Sequence, residues 1–501
     1  MTRYLLGVDV GTFETKGVLV DVDGAVRAEA RVRHELSTPR PGHVEHDADA
    51  VWWHDLVEVA GALMPHLAEG DELIGVGCSA IGPCVLPVDE ELRPLRPGIL
   101  YGVDTRAAAE IELLEQRLSA PEIARRSGNA LTSQSAGPKI LWIERNEPEI
   151  AARTRWYLTS QSYLVARLTG EVVIDHATAG YFHPCYDLAS GRWDTAGIDD
   201  LFREHTLPPI AWSSGIAGAV TADAAAETGI PVGTPVIVGT TDAVAEAVGA
   251  SVRAVGDLML MYGSSGYAIL VTETPTADPV LWSAPFALPG RFVAAAGTST
   301  LGTATRWIAD QLGLDEDDGD AALFGRLMQL VRSSPPGANG VLHLPHFSGE
   351  RTPWHDPDAR AAFTGIGLAT GRADLARAVV EGVGHSVALA LSRLLAAAEG
   401  EARVVAIGGA TRNEVITGVV GDVTGCTQQI AATLGASYGD AMLAAIAVGA
   451  RTEEQVAGWV TFEEPVVAAS DTAAVRAAHE RYQSTYRALR AATAHDEESR
   501  R

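Results

Sequence analysis

The sequence predicts an α/β protein of two lobes, each built around a copy of one strand–turn–strand unit. Three observations carry this. The run from Leu5 to Asp21 is two β-rich stretches joined by a Gly/Thr turn, and it recurs in looser form from Asp257 to Val271. Strand-like apolar runs interleave with amphipathic stretches in both halves. At 501 residues the chain exceeds what one hydrophobic core serves, so at least two domains follow.

Along the first half, Asp23-Gly24 makes a tight turn into an extended run, Ala25 to Leu36. A helix follows from about Asp49 to Leu67, with Trp52, Leu56, Val59, Leu63 and Leu67 on one face. Leu73 to Cys78 reads as a strand, and helices are expected at Arg106–Leu118 and Pro138–Asn146. Pro235 to Gly239 reads as a buried strand, with a helix starting in Ala243–Val248. The second half continues with helices at Thr303–Leu312 and Asp374–Ala398, the latter striped by Leu375, Val379, Val383, Val387, Leu391 and Leu394. The strand Arg403–Ile407 runs into Gly408-Gly409, and helices at Glu414–Thr424 and Gly439–Val448 follow. The lobes are expected at residues 1–249 and 250–490, followed by a polar, frayed tail, 491–501. A ligand cleft between lobes is the default for such an arrangement.

The net charge of −26 argues against a nucleic-acid or anionic-membrane partner. Cys78, Cys84, Cys185 and Cys426 show no paired spacing, which disfavours structural zinc and disulfides and suits a reducing cytosol. Met1-Thr2-Arg3 enters directly into a strand without a signal-peptide apolar region. No stretch reaches the roughly 18 consecutive apolar residues of a membrane span. A soluble, cytoplasmic protein is expected.

In Asp9-x-Gly11-Thr12-x-x-x-Lys16 the carboxylate stands at a strand end, where it can hold magnesium directly or through water. Gly11 and Thr12 offer N–H and hydroxyl donors to phosphate oxygens, and Lys16 a nearby positive charge; a plain polar hairpin is the alternative. Two such turns, one per half, suit a polyphosphate gripped from both sides, which points to ATP. There is no Gly-Lys-Ser/Thr of a Walker A loop, nor a G-x-G-x-x-G between strand and helix. Asp242 ends Val238-Gly239-Thr240-Thr241-Asp242 and precedes a helix, so it reads equally as a general base for phosphoryl transfer or as an N-cap. Gly408-Gly409-Ala410-Thr411-Arg412-Asn413 opens a helix after a strand, where a flat ring can lie on the glycines and Asn413 can pair with an adenine edge. His343/His346 and His43/His46 are partial metal-site patterns with no third ligand in view.

Taken in order, these motifs resemble the FGGY carbohydrate kinases, of the actin and hexokinase-like ATPase superfamily, from Leu5 to about Gly449. Gly7-Val8-Asp9-Val10-Gly11-Thr12 is similar to the family's first phosphate motif, and Gly239 to Gly249 to the segment supplying the catalytic aspartate, which selects the base role for Asp242. Tyr262-Gly263-Ser264-Ser265-Gly266 is similar to the second phosphate motif, with Ser264 in place of threonine. Leu344 to Pro353 and Arg377 to Val383 are similar to the second-lobe signature, and Gly408-Gly409-Ala410 with Asn413 to the adenosine motif. The resemblance implies a duplicated ribonuclease H-like fold. It also implies transfer of phosphate from ATP, with Mg2+ at Asp9 and Asp242, to a hydroxyl of a sugar or polyol. It leaves a homodimer open.

Pro138-Lys139-Ile140-Leu141-Trp142 is similar to a family helix, and Asp104-Thr105-Arg106 to a sugar-side segment. There Asp104 either hydrogen-bonds sugar hydroxyls or is held by Arg106 to shape the loop. The chain looks closest to the xylulose-kinase-like branch, which typically carries Gln-Met-His after the strand ending near Cys78. Here Ile81-Gly82-Pro83 stands at that place. A buried hydroxyl left unpaired costs about 1–3 kcal/mol, enough to change preference. A ketopentose such as xylulose or ribulose, a tetritol or a pentitol is therefore the expected acceptor. A silent sugar- or nucleotide-sensing protein and an ATP or polyphosphate hydrolase are the alternatives.

Overall fold

The computed structural model of the protein describes residues 2–314, 319–432, 435–469 and 472–500, with side chains except at 320 and 493–500. The chain forms two compact units. The first comprises Met1–Val255, Val271–Val293 and Thr433–Thr461; the second comprises Gly256–Leu270, Ala294–Ala432 and Phe462–Arg501. The division expected after residue 249 lies close to the first exit at Val255, while two later segments return to the first unit.

The first unit is organised by a seven-stranded sheet in the order Ile216–Ala219, Pro235–Ile237, Glu72–Ala80, Arg3–Val10, Glu14–Asp21, Val26–Arg33, with Thr240–Thr241 also pairing on Glu72–Ala80. Arg3–Val10 is antiparallel to Glu14–Asp21 and parallel to Glu72–Ala80. The strand Arg3–Val10 reads apolar because it is buried on both faces: Leu5, Leu6, Val8 and Val10 are all fully enclosed. The second sheet repeats the plan in its central run, Phe292–Thr298, Gly266–Thr272, Asp257–Tyr262, Arg403–Ile407, Gln428–Ala432. Its hairpin pairs Tyr262 with Gly266, and Asp257–Tyr262 runs parallel to Arg403–Ile407. The duplicated hairpin of the sequence is thus a duplicated sheet order.

The helix expected from Asp49 to Leu67 is three segments: a π-helical turn Ala48–Trp53, an α-helix His54–Leu63 and a 3-10 turn Met64–His66. Asp47 caps its start, accepting from the Asp49 and Ala50 amides at 3.0 and 2.8 Å. Trp52, Leu56, Val59 and Leu63 are buried in the first unit's core. Each such side chain contributes about 1.5–3 kcal/mol by leaving water. In the second unit, Arg372–Ala397 has the length and apolarity to cross a membrane, but 83% of its most apolar window is buried in the protein, as a core helix requires. The terminal helix Ala473–Arg500 continues through the segment from 491 for which the sequence predicts a frayed tail; Arg501 lies outside the described residues.

The helix Ala436–Ala447 packs on the first sheet with almost no space. A Cβ at Gly7 would fall 1.8 Å from the Ser437 carbonyl oxygen, and one at Gly77 2.3 Å from that of Asp440. A Cβ at Gly439 would fall 1.8 Å from the Ala245 carbonyl oxygen on the helix Asp242–Gly249. Only glycine permits these approaches. They bring Asp440 under the strand Glu72–Ala80.

Candidate active site

Three strands of the first sheet end together. Parallel register sets Asp9 beside Ser79 and Ser79 beside Thr240, Asp9 and Ser79 at the C-terminal ends of their strands and Thr240 in the two-residue strand Thr240–Thr241. Asp242 follows two residues after Thr240 as the first residue of the helix Asp242–Gly249. The Ser79 hydroxyl lies 3.0 Å from Asp9 Oδ1 and 2.7 Å from Asp440 Oδ2. Burial, then the Asp242 charge, push the Asp9 carboxyl well above its ordinary value, against the opposing hydrogen bond from Ser79. Burial does the same to Asp440, whose Oδ1 has no hydrogen-bond partner among the described residues. Ser79 and Asp440 are absent from the sequence reading, since Asp440 lies 361 residues from Ser79 along the chain.

Asp242 is not the N-cap: that position falls to Thr241, whose φ of −72° and ψ of 153° are extended. Asp242 is half-buried and accepts from the Ala243 amide at 2.8 Å. Burial raises its carboxyl to about 7 against that hydrogen bond, and the Glu246 charge adds to the rise. Such a group takes up and releases a proton near neutrality. The strand before it, Thr240–Thr241, is anchored by Asp175, fully buried, whose Oδ2 accepts from Thr240 Oγ1 at 2.8 Å and Ser213 Oγ at 3.1 Å.

At the first turn, the Gly11 amide donates to the Glu14 carbonyl at 3.0 Å, and a Cβ on Gly11 would stand 3.0 Å from that same oxygen. Thr12 is half-buried. Lys16 faces Asp9 across the hairpin, but its Nζ is 3.3 Å from Glu14 Oε2, which neutralises part of the charge expected for phosphate.

In the second unit a cavity of about 590 Å³ opens at the second turn. Tyr262, Gly263 and Ser264 line it on one side and Gly409 and Ala410 on another, with Ser265 and Gly408 next to them along the chain. Gly408 has φ +96°, and a Cβ there would fall 2.5 Å from the Tyr262 carbonyl oxygen, so the two turns touch through backbone. The amides of Leu301 and Gly302 donate to the carbonyls of Ser264 and Gly263, which pins the helix Gly302–Gln311 to the hairpin. Leu323, Phe324 and Leu327, on the helix Asp320–Arg332, supply an apolar wall that the motifs did not reveal. Asn413 is fully buried, and its Oδ1 accepts from the Val415 and Ile416 amides at 3.2 Å, capping the helix Glu414–Thr424, while its Nδ2 has no hydrogen-bond partner among the described residues.

On the sugar side, Ile81 is buried and its amide donates to the Val10 carbonyl at 2.8 Å. A Cβ on Gly82 would meet Thr241 Cγ2 at 3.1 Å, so Ile81-Gly82 lies against the residue preceding Asp242. Asp104 and Arg106, expected either to reach sugar hydroxyls or to shape their loop, contact each other. Asp104 is fully buried and accepts from the Val44 amide at 2.7 Å and from Arg106 Nη2 at 2.7 Å. Arg106 Nη2 also pairs with Glu45 Oε1 at 2.8 Å, and the guanidinium lies 5.0 Å over the Trp142 ring. His346 is engaged by Glu350 at 2.9 Å, and no group of three or more metal-ligating side chains occurs among the described residues.

Comparison with known proteins agrees along nearly the whole chain. The N-terminal domain of the FGGY family of carbohydrate kinases matches residues 4–249, and its C-terminal domain matches residues 258–448. The xylulose kinase of Escherichia coli (strain K12) is 32% identical over 445 residues, 88% of each chain. The gluconokinase of Bacillus subtilis (strain 168) is 26% identical over 437 residues, 84% of this chain and 83% of its own. The crystal structure of xylulose kinase from Rhodospirillum rubrum superposes with a TM-score of 0.89 at 30% identity, covering 97% of this chain and 99% of its own. The mixed α/β architecture, the paired hairpins and these matches together make the chain a member of the FGGY family of carbohydrate kinases.

Proposed function

We propose that the chain transfers the γ-phosphoryl group of ATP to a hydroxyl of a small sugar or polyol, with Asp242 as the general base. Asp242 removes the hydroxyl proton as that oxygen attacks the γ-phosphorus; the bond to the β,γ-bridging oxygen breaks and ADP leaves. The observation that carries the reading is a carboxyl raised to about 7 at the mouth of three parallel strand ends.

Carboxylate oxygens of Asp9 and Asp242, close enough that the Asp242 charge raises Asp9, suit magnesium, being few enough that the ion would keep waters and phosphate oxygens. Bound there, the ion would neutralise charge developing on the phosphoryl oxygens. Gly11 and Thr12, with Lys16 beside them, serve phosphate in the first unit. Gly263, Ser264 and Ser265 serve it in the second, where Gly408-Gly409 and the Leu323–Phe324–Leu327 wall hold the base of the nucleotide. Excluding water from the reacting groups keeps hydrolysis from competing.

Ile81-Gly82 borders the acceptor, and a ketopentose such as xylulose or ribulose, a tetritol or a pentitol suits it. Relatives named for xylulose and gluconate support a sugar or sugar-derived acceptor over the sensing and hydrolase alternatives. The test is ADP release with magnesium and ATP across ketopentoses, tetritols, pentitols, gluconate and glycerol, with Asp242→Asn as control. One acceptor with large, Asp242-dependent stimulation is expected. Phosphate release at one rate with and without every acceptor would overturn it.

A further inference from the structure

The first turn is tied down by a side chain that no motif contains. His34 Nε2 lies 3.2 Å from the Gly11 carbonyl oxygen, and Nδ1 lies 2.7 Å from Asp55 Oδ2. The same Asp55 oxygen accepts from the Thr15 hydroxyl at 2.9 Å, and the His34 amide donates to the Phe13 carbonyl at 3.0 Å. The side chains of His34 and Asp55 are only 5% and 3% exposed. Residues on both sides of the turn, Gly11 and Thr15, therefore hang on one buried pair.

The Gly11 carbonyl can only accept, so Nε2 carries a hydrogen toward it. Burial pushes the Asp55 carboxyl up, but hydrogen bonds from His34 and Thr15 outweigh this and hold it below its ordinary value, so it too accepts. The geometry has a directional consequence. A peptide plane is rigid, with its C=O and N–H on opposite edges. Fixing the Gly11 carbonyl toward His34 therefore fixes the Thr12 N–H away from it, on the outer edge of the turn. Without that hold, a glycine at position 11 leaves the plane free to rotate and to present a carbonyl oxygen to an anion.

We propose that His34, backed by Asp55, is a positioning residue for nucleotide phosphate: it locks the Gly11–Thr12 peptide so that the Thr12 N–H faces the ligand. This rests on the reading of Gly11–Thr12 as a phosphate turn. The pair touches no substrate. Its effect falls on ATP rather than on the acceptor or on proton transfer.

Steady-state kinetics and calorimetric ATP binding with full-length His34→Leu, His34→Gln, Asp55→Asn and Gly11→Val test it. Losing the hold in His34→Leu raises KM for ATP about tenfold, the equivalent of one typical hydrogen bond. Its kcat at saturating ATP and its acceptor KM stay unchanged. Glutamine keeps an amide donor where Nε2 stands, so His34→Gln restores most of the ATP affinity, and Asp55→Asn falls between the two. An unchanged ATP KM in His34→Leu, a His34→Gln variant no better than His34→Leu, or an equal loss of acceptor affinity and melting temperature would each overturn the positioning role. Gly11→Val separates the layers. If it raises the ATP KM while His34→Leu does not, the hold fails and the phosphate turn stands; if it leaves ATP affinity intact, the phosphate turn itself fails.

Discussion

The Ser79 hydroxyl sits 2.7 Å from the Asp440 carboxyl, and it is also 3.0 Å from Asp9. One hydroxyl hydrogen cannot serve two carboxylates at once, so one of the two short contacts needs a proton from the acid side. Burial raises both carboxyls, and one Asp440 oxygen has no partner among the described residues. The pair is thus a buried acid held by a single hydroxyl.

Asp440→Asn is expected to stabilise the fold at neutral and alkaline pH and to change it little under acid conditions. The folded Asp440 titrates above its unfolded counterpart, so the native state binds the extra proton between those two values. Its contribution is present at low pH and is lost as pH rises through that interval. Thermal melts of both proteins across pH measure this. A melting temperature lowered by the substitution at pH 8 would contradict it.

Asp242→Asn is expected to lower kcat by about 10²–10⁴, the usual worth of a positioned base, while ATP binding survives. A base must be ionised to accept its proton, so wild-type kcat/KM rises with pH through the Asp242 carboxyl's own value, about 7 without metal and lower with magnesium at its oxygens. A pH–rate profile whose acid limb is unchanged in Asp242→Asn would remove Asp242 from this role.

Gly408→Ala places a Cβ 2.5 Å from the Tyr262 carbonyl oxygen at a φ of +96°. The expected loss is about 1–3 kcal/mol of stability, the scale of one strained backbone site. ATP affinity falls with it, because Tyr262, Gly263 and Gly409 line one cavity. Urea unfolding with and without ATP reads both effects.

Asp104→Asn distinguishes a loop clamp from a sugar ligand. Breaking a buried ion pair costs about 3–5 kcal/mol, less here because Glu45 still faces Arg106 at 2.8 Å. The variant is expected to unfold at lower urea with an unchanged acceptor KM. A raised acceptor KM at wild-type stability would return Asp104 to the sugar.

The parts legible in the sequence are those written in adjacent residues. Both hairpins, the strand before Asp242 and the striped helices declare themselves by local apolar period and glycine turns. Asn413 is ambiguous because a helix cap and an adenine contact leave the same mark, a polar residue after a Gly-Gly turn; the cap, made to the Val415 and Ile416 amides, is seen only in the fold. Asp104 next to Arg106 is ambiguous for a similar reason, and the groups that hold the pair, the Val44 amide and Glu45, arrive from another segment. Ser79 with Asp440, and His34 with Gly11, are tertiary pairings, which no local pattern encodes.

The helix Ala436–Ala447 has a consequence for synthesis. Gly7 and Gly77 have given up their side chains to receive it, so the first sheet lacks its cover until residue 447 has been made. A ribosome-bound chain ending at Ala432 would hold the strands and Asp242 but leave their glycine-lined face open to water. The N-terminal unit, translated first, therefore waits for a segment made only after residues 294–432 of the second unit, and nascent chains of intermediate length are the natural clients of a chaperone.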